Sequence, residues 1–197
     1  MTLNGKIEVM VASSVYGFED QIKQVCGLFE QMGFHPVSSQ YKTMPTDPSK
    51  SNLDNCLEAV RNCDCLFGII RPVYGTGVIG QTSITHEEMK LAIALKKPRW
   101  FIAHRDIRVA RVLLHQYMFN DDKTKNETFI YKPTKHLDDI RIIDIYNDTV
   151  QNDVPLEQRI GHWTEEYFEL DDILKVIHTQ FKDKDRILSI IKKMKTL

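Results

Sequence analysis

The stretch CDCLFGII at residues 63–70 is a near-continuous apolar run. A run of this kind is typical of a central strand of a parallel sheet, because helices cover both faces of such a strand. Three further short apolar segments predict strands on either side of it, IEVMVA at 7–12, FHPVS at 34–38 and RWFIAH at 99–104. The chain therefore begins as an alternation in which buried strands recur at regular intervals.

Between these strands, apolar residues recur at helical spacing over about residues 18–32, 53–62 and 86–97. The order βαβαβαβ up to His104 predicts a parallel sheet with right-handed crossovers. We therefore expect an α/β fold with a flavodoxin-like open, mainly parallel sheet and helices on both faces. Residues 1–104 form the predicted core.

The second half of the chain is less regular and is predicted to be an extension, 105–197, packed on the same domain. An amphipathic helix is expected at about 107–119. The segments ETFIY (127–131) and IRIIDIY (140–146) predict strands, and apolar spacing from about 170 to 194 predicts a long terminal helix, broken near 182–185.

Composition limits the classes of function. The chain has 197 residues with 26 Lys+Arg against 27 Asp+Glu, a net charge of -1. This balance gives no global electrostatic reason to bind nucleic acid or an anionic membrane. No apolar run approaches the length of a transmembrane helix, and the first residues do not resemble a secretory signal, so a cytoplasmic location is expected.

The four cysteines, Cys26, Cys56, Cys63 and Cys65, lack the spacing of a zinc site. Without an export signal a disulfide framework is not expected either. We interpret them as buried reduced thiols and predict no metal and no cofactor.

Gly75, Gly77 and Gly80 spell G-x-G-x-x-G, but the preceding strand ends too early and no acidic residue follows about 20 positions on. A dinucleotide-binding turn is therefore not predicted. A glycine-rich loop beside a ligand site and a plain surface loop both stay open.

The third helix begins with two adjacent acids, Glu87 and Glu88. On a helical wheel Glu88 lies within the apolar arc, whereas Glu87 lies at its edge. A carboxylate on the buried side of a helix start either caps the helix or does chemistry. Thr85 and Glu88 fit the capping-box pattern T-x-x-E, so both interpretations stay open.

Three stretches together carry a family resemblance: VMVASSVYGFED (9–20), CLEAVRNCD (56–64) with LFGIIRPVYG (66–75), and SITHEEMKLAIALKKP (83–98). They resemble an uncharacterised bacterial domain family found ahead of NTPase modules. That family is similar in fold and site layout to Toll/interleukin-receptor (TIR) domains and nucleoside 2-deoxyribosyltransferases. The resemblance covers residues 6–104.

The resemblance implies a set of site residues. The transferases carry a glutamate, an alanine four residues later and a closing Lys-Pro, and Glu88, Ala92, Lys97 and Pro98 occupy those positions. Glu88 is therefore the expected catalytic acid. The expected substrate-binding residues are Ser13 and Ser14 at the sugar or phosphate, Arg71 and Tyr74 shaping the pocket, and Asp64.

Each binding residue has a structural alternative. The serines could simply cap a helix. Tyr74 could pack over the sheet edge, Arg71 could form a surface ion pair, and Asp64 is more often structural in that superfamily.

The implied chemistry is attack on an N-glycosidic bond, whose oxocarbenium-like transition state a carboxylate can stabilise. The first hypothesis is a nucleotide N-glycosidase that consumes NAD, a TIR-like hydrolase or cyclase in bacterial antiviral defence. The expected partners are a nucleotide or NAD, and either further copies of the chain or a separate defence protein. A non-catalytic nucleotide-binding, self-assembling signalling domain is the alternative, and a nucleoside deoxyribosyltransferase is the third.

Overall fold

The computed structural model describes residues 5–75, 82–122 and 124–196 and contains one sheet of five parallel strands. The sheet has the order β2-β1-β3-β4-β5. This order is that of flavodoxin-like folds, as the sequence predicts. The strands are β1 (Glu8–Ser13), β2 (His35–Val37), β3 (Cys65–Ile70), β4 (Arg99–His104) and β5 (Thr164–Tyr167).

Helices connect the strands and cover both faces of the sheet. They are α1 (Glu19–Gln31), α2 (Asn52–Asn62), α3 (Ile84–Ala94), α4 (Arg105–Met118), α5 (Ile142–Thr149), α6 (Leu170–Phe181) and α7 (Lys184–Met194). Within the described ranges, no helix has the length and apolar character needed to cross a membrane.

The core has two halves, one on each face of the sheet. Apolar side chains of α2, α3, α4 and α5 fill one half, and those of α1, α6 and α7 fill the other. The second half contains edge-to-face contacts of Phe181 with Phe29 at 4.9 Å and with Phe34 at 5.5 Å between ring centroids. All six residues of β3 are buried between these halves, which explains its continuous apolar sequence.

The second half of the chain completes the same sheet, because β5 pairs in parallel with β4. The sequence did not predict this strand. Its four residues, TEEY, are mostly polar and lie at the edge of the sheet, where one side has no neighbouring strand.

Two predicted strands are wrong. Residues 127–131 form no strand, and the segment predicted at 140–146 belongs to helix α5. The buried residues of α5 lie at helical spacing, which overrides the strand preference of its isoleucines. The predicted break in the terminal helix is confirmed, because α6 ends at Phe181 and α7 begins at Lys184. Asp183 caps α7 by accepting a hydrogen bond from the Arg186 amide at 3.0 Å.

Candidate functional site

A cleft of ≈ 730 Å³ opens at the carboxyl end of the sheet, beside β1 and β3. In this strand order successive strands are added toward one side of the sheet up to β2 and toward the other side from β3 onward, so the order reverses between β1 and β3. Open α/β sheets bind ligands at such a switch point. The cleft is bounded by the loop after β1, the first turns of α2, the segment after β3 and the start of α3. Its lining residues are Ser13, Ser14, Val15, Tyr16, Glu19, Ser39, Met44, Thr46, Asn52, Asn55, Cys56, Val73, Gly75, Ile84, Thr85, Glu88 and Asp138.

Glu88 lines this cleft from the first turns of α3 and does not cap the helix. The N-cap is Ser83, whose hydroxyl accepts a hydrogen bond from the His86 amide at 3.3 Å. Thr85 lies inside the helix, so Glu88 stands too far along α3 to reach the cap. The capping-box alternative is therefore wrong, and the Glu88 side chain, only 6% exposed, lies between the cleft and the core.

The carboxyl of Glu88 is largely protonated at pH 7. Burial raises its pKa from 4.5 to about 8, and a hydrogen bond from the Cys56 thiol lowers it only in part. Burial, together with this carboxyl, raises the pKa of Cys56 to about 12, so that the thiol stays a hydrogen-bond donor. Loss of hydration of the charged form is thus the main cause of the raised pKa of Glu88.

Glu87, the neighbouring acid, has a different environment. Burial raises the pKa of Glu87, but hydrogen bonds from Thr82 and Lys90 outweigh it and leave the pKa below its usual value. The Lys90 ammonium lies 3.1 Å from the carboxylate. Glu87 is thus an ionised, paired surface group and does not line the cleft.

Ser13 and Ser14 lie at the end of β1 and line the cleft. The Ser14 hydroxyl donates to the carbonyl of Val73 at 2.7 Å and so joins the loops after β1 and β3. The Ser13 hydroxyl makes a longer bond, 3.2 Å, to the Ser14 carbonyl. Neither serine caps a helix, because the N-cap of α1 is Phe18 and has no side-chain cap.

Arg71 holds the loop after β1 in place but is not among the residues that line the cleft. Its guanidinium donates to the carbonyls of Ser14 at 2.7 Å and Tyr16 at 3.0 Å. It also lies 4.4 Å from the centre of the Phe18 ring. The contact of Arg71 with a phosphate stays a prediction.

Tyr74 is buried beneath the cleft wall and does not line it. Its hydroxyl accepts a hydrogen bond from the Ser83 amide at 3.2 Å and lies 3.4 Å from His86 Nδ1. His86 Nε2 lies 2.7 Å from a carboxylate oxygen of Asp148. The His86 ring is therefore buried and joins α3 to α5.

Asp64 lies at the opposite end of the strands from the cleft. It directly precedes β3 and therefore lies at the amino ends of the parallel strands, whereas the cleft opens at their carboxyl ends. Its carboxylate accepts a hydrogen bond from the Glu8 amide at 3.1 Å. The prediction of Asp64 as a substrate-binding residue is corrected to a structural role between β1 and β3.

Sequence reasoning missed several lining residues, among them Glu19, Asn55, Cys56 and Asp138. The Asn55 amide group donates to the carbonyls of Asp47 at 3.1 Å and Ser51 at 3.0 Å, which fixes the loop before α2. The helical stripe of α2 placed Cys56 in the core, and only tertiary packing brings it to Glu88. Asp138 comes from a segment without any motif, and it accepts a hydrogen bond from the Tyr74 amide at 2.8 Å.

The glycine pattern falls partly within the described residues. Gly75 has a φ of +80° and lies so close to Ser14 that a Cβ would stand 3.0 Å from the serine Cβ. Gly77 and Gly80 lie outside the described residues. Position 75 requires glycine because its φ is positive and because the loops after β1 and β3 pack closely there.

All four cysteines are buried and free, as the sequence predicts. Among the described residues, no group of three His, Cys, Asp or Glu side chains is placed to hold a metal ion.

Comparison with known proteins gives one family and a remote structural likeness. Residues 8–161 match the family described as "Domain of unknown function (DUF4062)". No curated protein matches the chain. A 2-desoxiribosyltransferase from Leishmania mexicana shares 15% identity over 72% of this chain and 96% of its own length, with a TM-score of 0.39, which carries no functional argument.

Proposed function

The chain belongs to the DUF4062 family, and on that premise we propose that it cleaves the N-glycosidic bond of a nucleoside-containing substrate. An uncharacterised family is what the sequence resemblance predicts, whereas its relation to TIR domains and to NTPase modules stays a prediction. The finer proposal is a nicotinamide N-glycoside, NAD included, as the substrate class.

One observation carries the proposal: the buried carboxyl of Glu88 lines a ligand-sized cleft at the switch point of the sheet. Most buried carboxyls are paired with a cation. Among the described residues no cationic side chain lowers the pKa of Glu88, and the one group that lowers it is the Cys56 thiol. A neutral donor leaves this carboxyl available for a ligand.

The chemistry follows from the charge of this carboxyl. As the C1′–N bond breaks, its electron pair leaves with the base and C1′ becomes an oxocarbenium-like cation. The ionised carboxylate of Glu88 then stabilises C1′, and water completes hydrolysis by adding to C1′ and losing a proton to the solvent. The hydroxyl groups of Ser13 and Ser14 line the same cleft and orient the sugar by accepting hydrogen bonds from it, since each donates its own proton to a backbone carbonyl.

A cationic base fits the raised pKa of Glu88. The carboxyl is largely protonated at neutral pH, and a positive charge placed beside it lowers its pKa and favours the carboxylate. A ring that is already cationic also leaves as a neutral molecule and needs no acid. Nicotinamide attached to ribose has both properties.

The test is release of nicotinamide from NAD, nicotinamide mononucleotide and nicotinamide riboside by purified protein at high concentration. Glu88→Gln is expected to lower kcat by at least about 100-fold, the usual scale for loss of one catalytic electrostatic group. Glu87→Gln is the matched control, since it removes the same charge one residue away and is expected to retain activity. Loss of activity in Glu87→Gln alone would overturn the assignment.

The pH profile separates two roles of Glu88. As a carboxylate it makes kcat/KM rise with pH to a plateau above about 8, because kcat/KM reports the free enzyme. Full activity below pH 8 with a decline above it would show instead that the neutral acid is required, which contradicts the carboxylate role.

The same assay distinguishes the other classes of function. Binding without base release favours a nucleotide-binding signalling domain, and transfer of the sugar to an added base favours a deoxyribosyltransferase. Assembly into homo-oligomers, a separate partner protein and a role in antiviral defence stay predictions of the resemblance.

A further inference from the structure

The ionisable side chains that line the cleft are acidic. Among the described lining residues there are three carboxyl groups, Glu19, Glu88 and Asp138, and no lysine, arginine or histidine. A cleft of this composition repels a phosphate and attracts a cation.

Glu19 also occupies the place where a phosphate usually binds in folds of this kind. The amides at a helix N-terminus form a ready anion site, and α1 begins at the carboxyl end of β1. Here the Glu19 carboxylate accepts a hydrogen bond from the Gly17 amide at 3.1 Å. Backbone hydrogen bonds from Glu19 itself, Gly17 and Phe18 lower its pKa, so it stays ionised.

Arg71 does not reverse this charge. Its guanidinium is bound to two backbone carbonyls and to the Phe18 ring, and it does not line the cleft. Its positive charge acts on Glu19 and Asp138, and the three groups together are still negative.

From this arrangement we infer that Glu19 is a specificity-determining residue, an internal anion that makes the cleft select N-glycosides without a phosphate on the sugar. The inference rests on the proposed function and narrows its substrate class. The preferred ligand is a nucleoside with a cationic or neutral base, and a nucleoside monophosphate or a dinucleotide is the poorer ligand. Asp138, which also lines the cleft, acts in the same direction.

The inference can be tested by binding, without turnover. In the Glu88→Gln chain, titration calorimetry is used to compare nicotinamide riboside with nicotinamide mononucleotide, two probes that differ by one phosphate. The riboside is expected to bind more tightly. Adding Glu19→Gln, which keeps an acceptor for the Gly17 amide but removes the charge, is expected to improve mononucleotide binding about fivefold, the scale of a charge at a helix N-terminus.

Glu19→Ala is expected to improve mononucleotide binding further, because it also frees the amides at the start of α1. Riboside binding is expected to improve in neither variant. Asp20→Asn is the matched control: it removes the same charge from the next residue, whose carboxylate pairs with Lys23 at 2.9 Å outside the cleft. Urea unfolding of each variant verifies that the chain is folded.

Three results would overturn the inference: tighter binding of the mononucleotide by the parent chain, an equal gain in Asp20→Asn, or no binding of either probe. The proposed function fails separately. A chain that prefers the riboside through Glu19 but releases no base refutes the N-glycosidase and supports the selectivity.

Discussion

Replacing Glu88 with glutamine is expected to stabilise the protein relative to wild type by an amount that grows with pH between about 4.5 and 8. Folding raises the pKa of Glu88 from 4.5 to about 8, chiefly because burial removes hydration from the charged form. Between these values the folded chain holds the proton and the unfolded chain does not. Wild-type stability therefore falls as pH rises, because the unfolded state binds fewer protons than the folded state.

The magnitude follows from the pKa shift. One pKa unit corresponds to about 1.4 kcal/mol, so the wild-type free energy of unfolding loses about 1.4 kcal/mol per pH unit through this group. From pH 4.5 to pH 7 the loss is roughly 3 kcal/mol. Glutamine has no proton to lose, and its amide adds a constant difference that does not change with pH.

The assay is urea unfolding of both proteins at several pH values from 4.5 to 9, with the free energy difference plotted against pH. Groups common to both proteins cancel in this difference. It is expected to rise up to about pH 8 and then to level off. In Glu87→Gln, the control, the difference is expected to be constant above pH 5, because its folded pKa is lowered and its contribution is lost only in acid.

A Glu88 difference that does not change with pH would refute the reasoning. It would mean that the folded chain carries this carboxylate ionised at neutral pH. The proposed role of a cationic substrate in ionising the group would then lose its basis.

Three further substitutions test the supports of the cleft. Tyr74→Phe leaves the buried Ser83 amide without its acceptor and is expected to cost about 1–3 kcal/mol in urea unfolding, whereas a cost near zero would show that this bond is not formed. Gly68→Ala places a Cβ 2.7 Å from Phe101 Cδ1 in the centre of the sheet and is expected to cost about 1–3 kcal/mol; an unchanged urea midpoint would contradict this packing. Cys56→Ala removes the thiol that lowers the pKa of the Glu88 carboxyl, so the pH midpoint of kcat/KM is expected to move higher and Cys56→Ser to restore it; equal midpoints in both variants would contradict the contact.

The predictions made from the sequence were wrong where the local preference of residues for strand or helix disagrees with their burial in the fold. The isoleucines at 142, 143 and 145 favour a strand, yet their helical spacing places them against the sheet as part of α5. Strand β5 was missed for the opposite reason, since its polar residues lie at a sheet edge and carry no apolar pattern. Asp64 was assigned to the site from its place before β3, although the amino end of a strand faces away from the switch point.

What the sequence determined by itself was the order of strands and helices through the first four strands and the place of Glu88, rather than Glu87, on the buried side of α3. Both follow from the periodicity of apolar residues, a local property that survives without knowledge of the fold. Tertiary structure alone decided the charge state of Glu88 and the acidic lining that Glu19 and Asp138 give the cleft. Burial, hydration and electrostatic fields depend on residues far apart in the chain, and only folding brings those residues together.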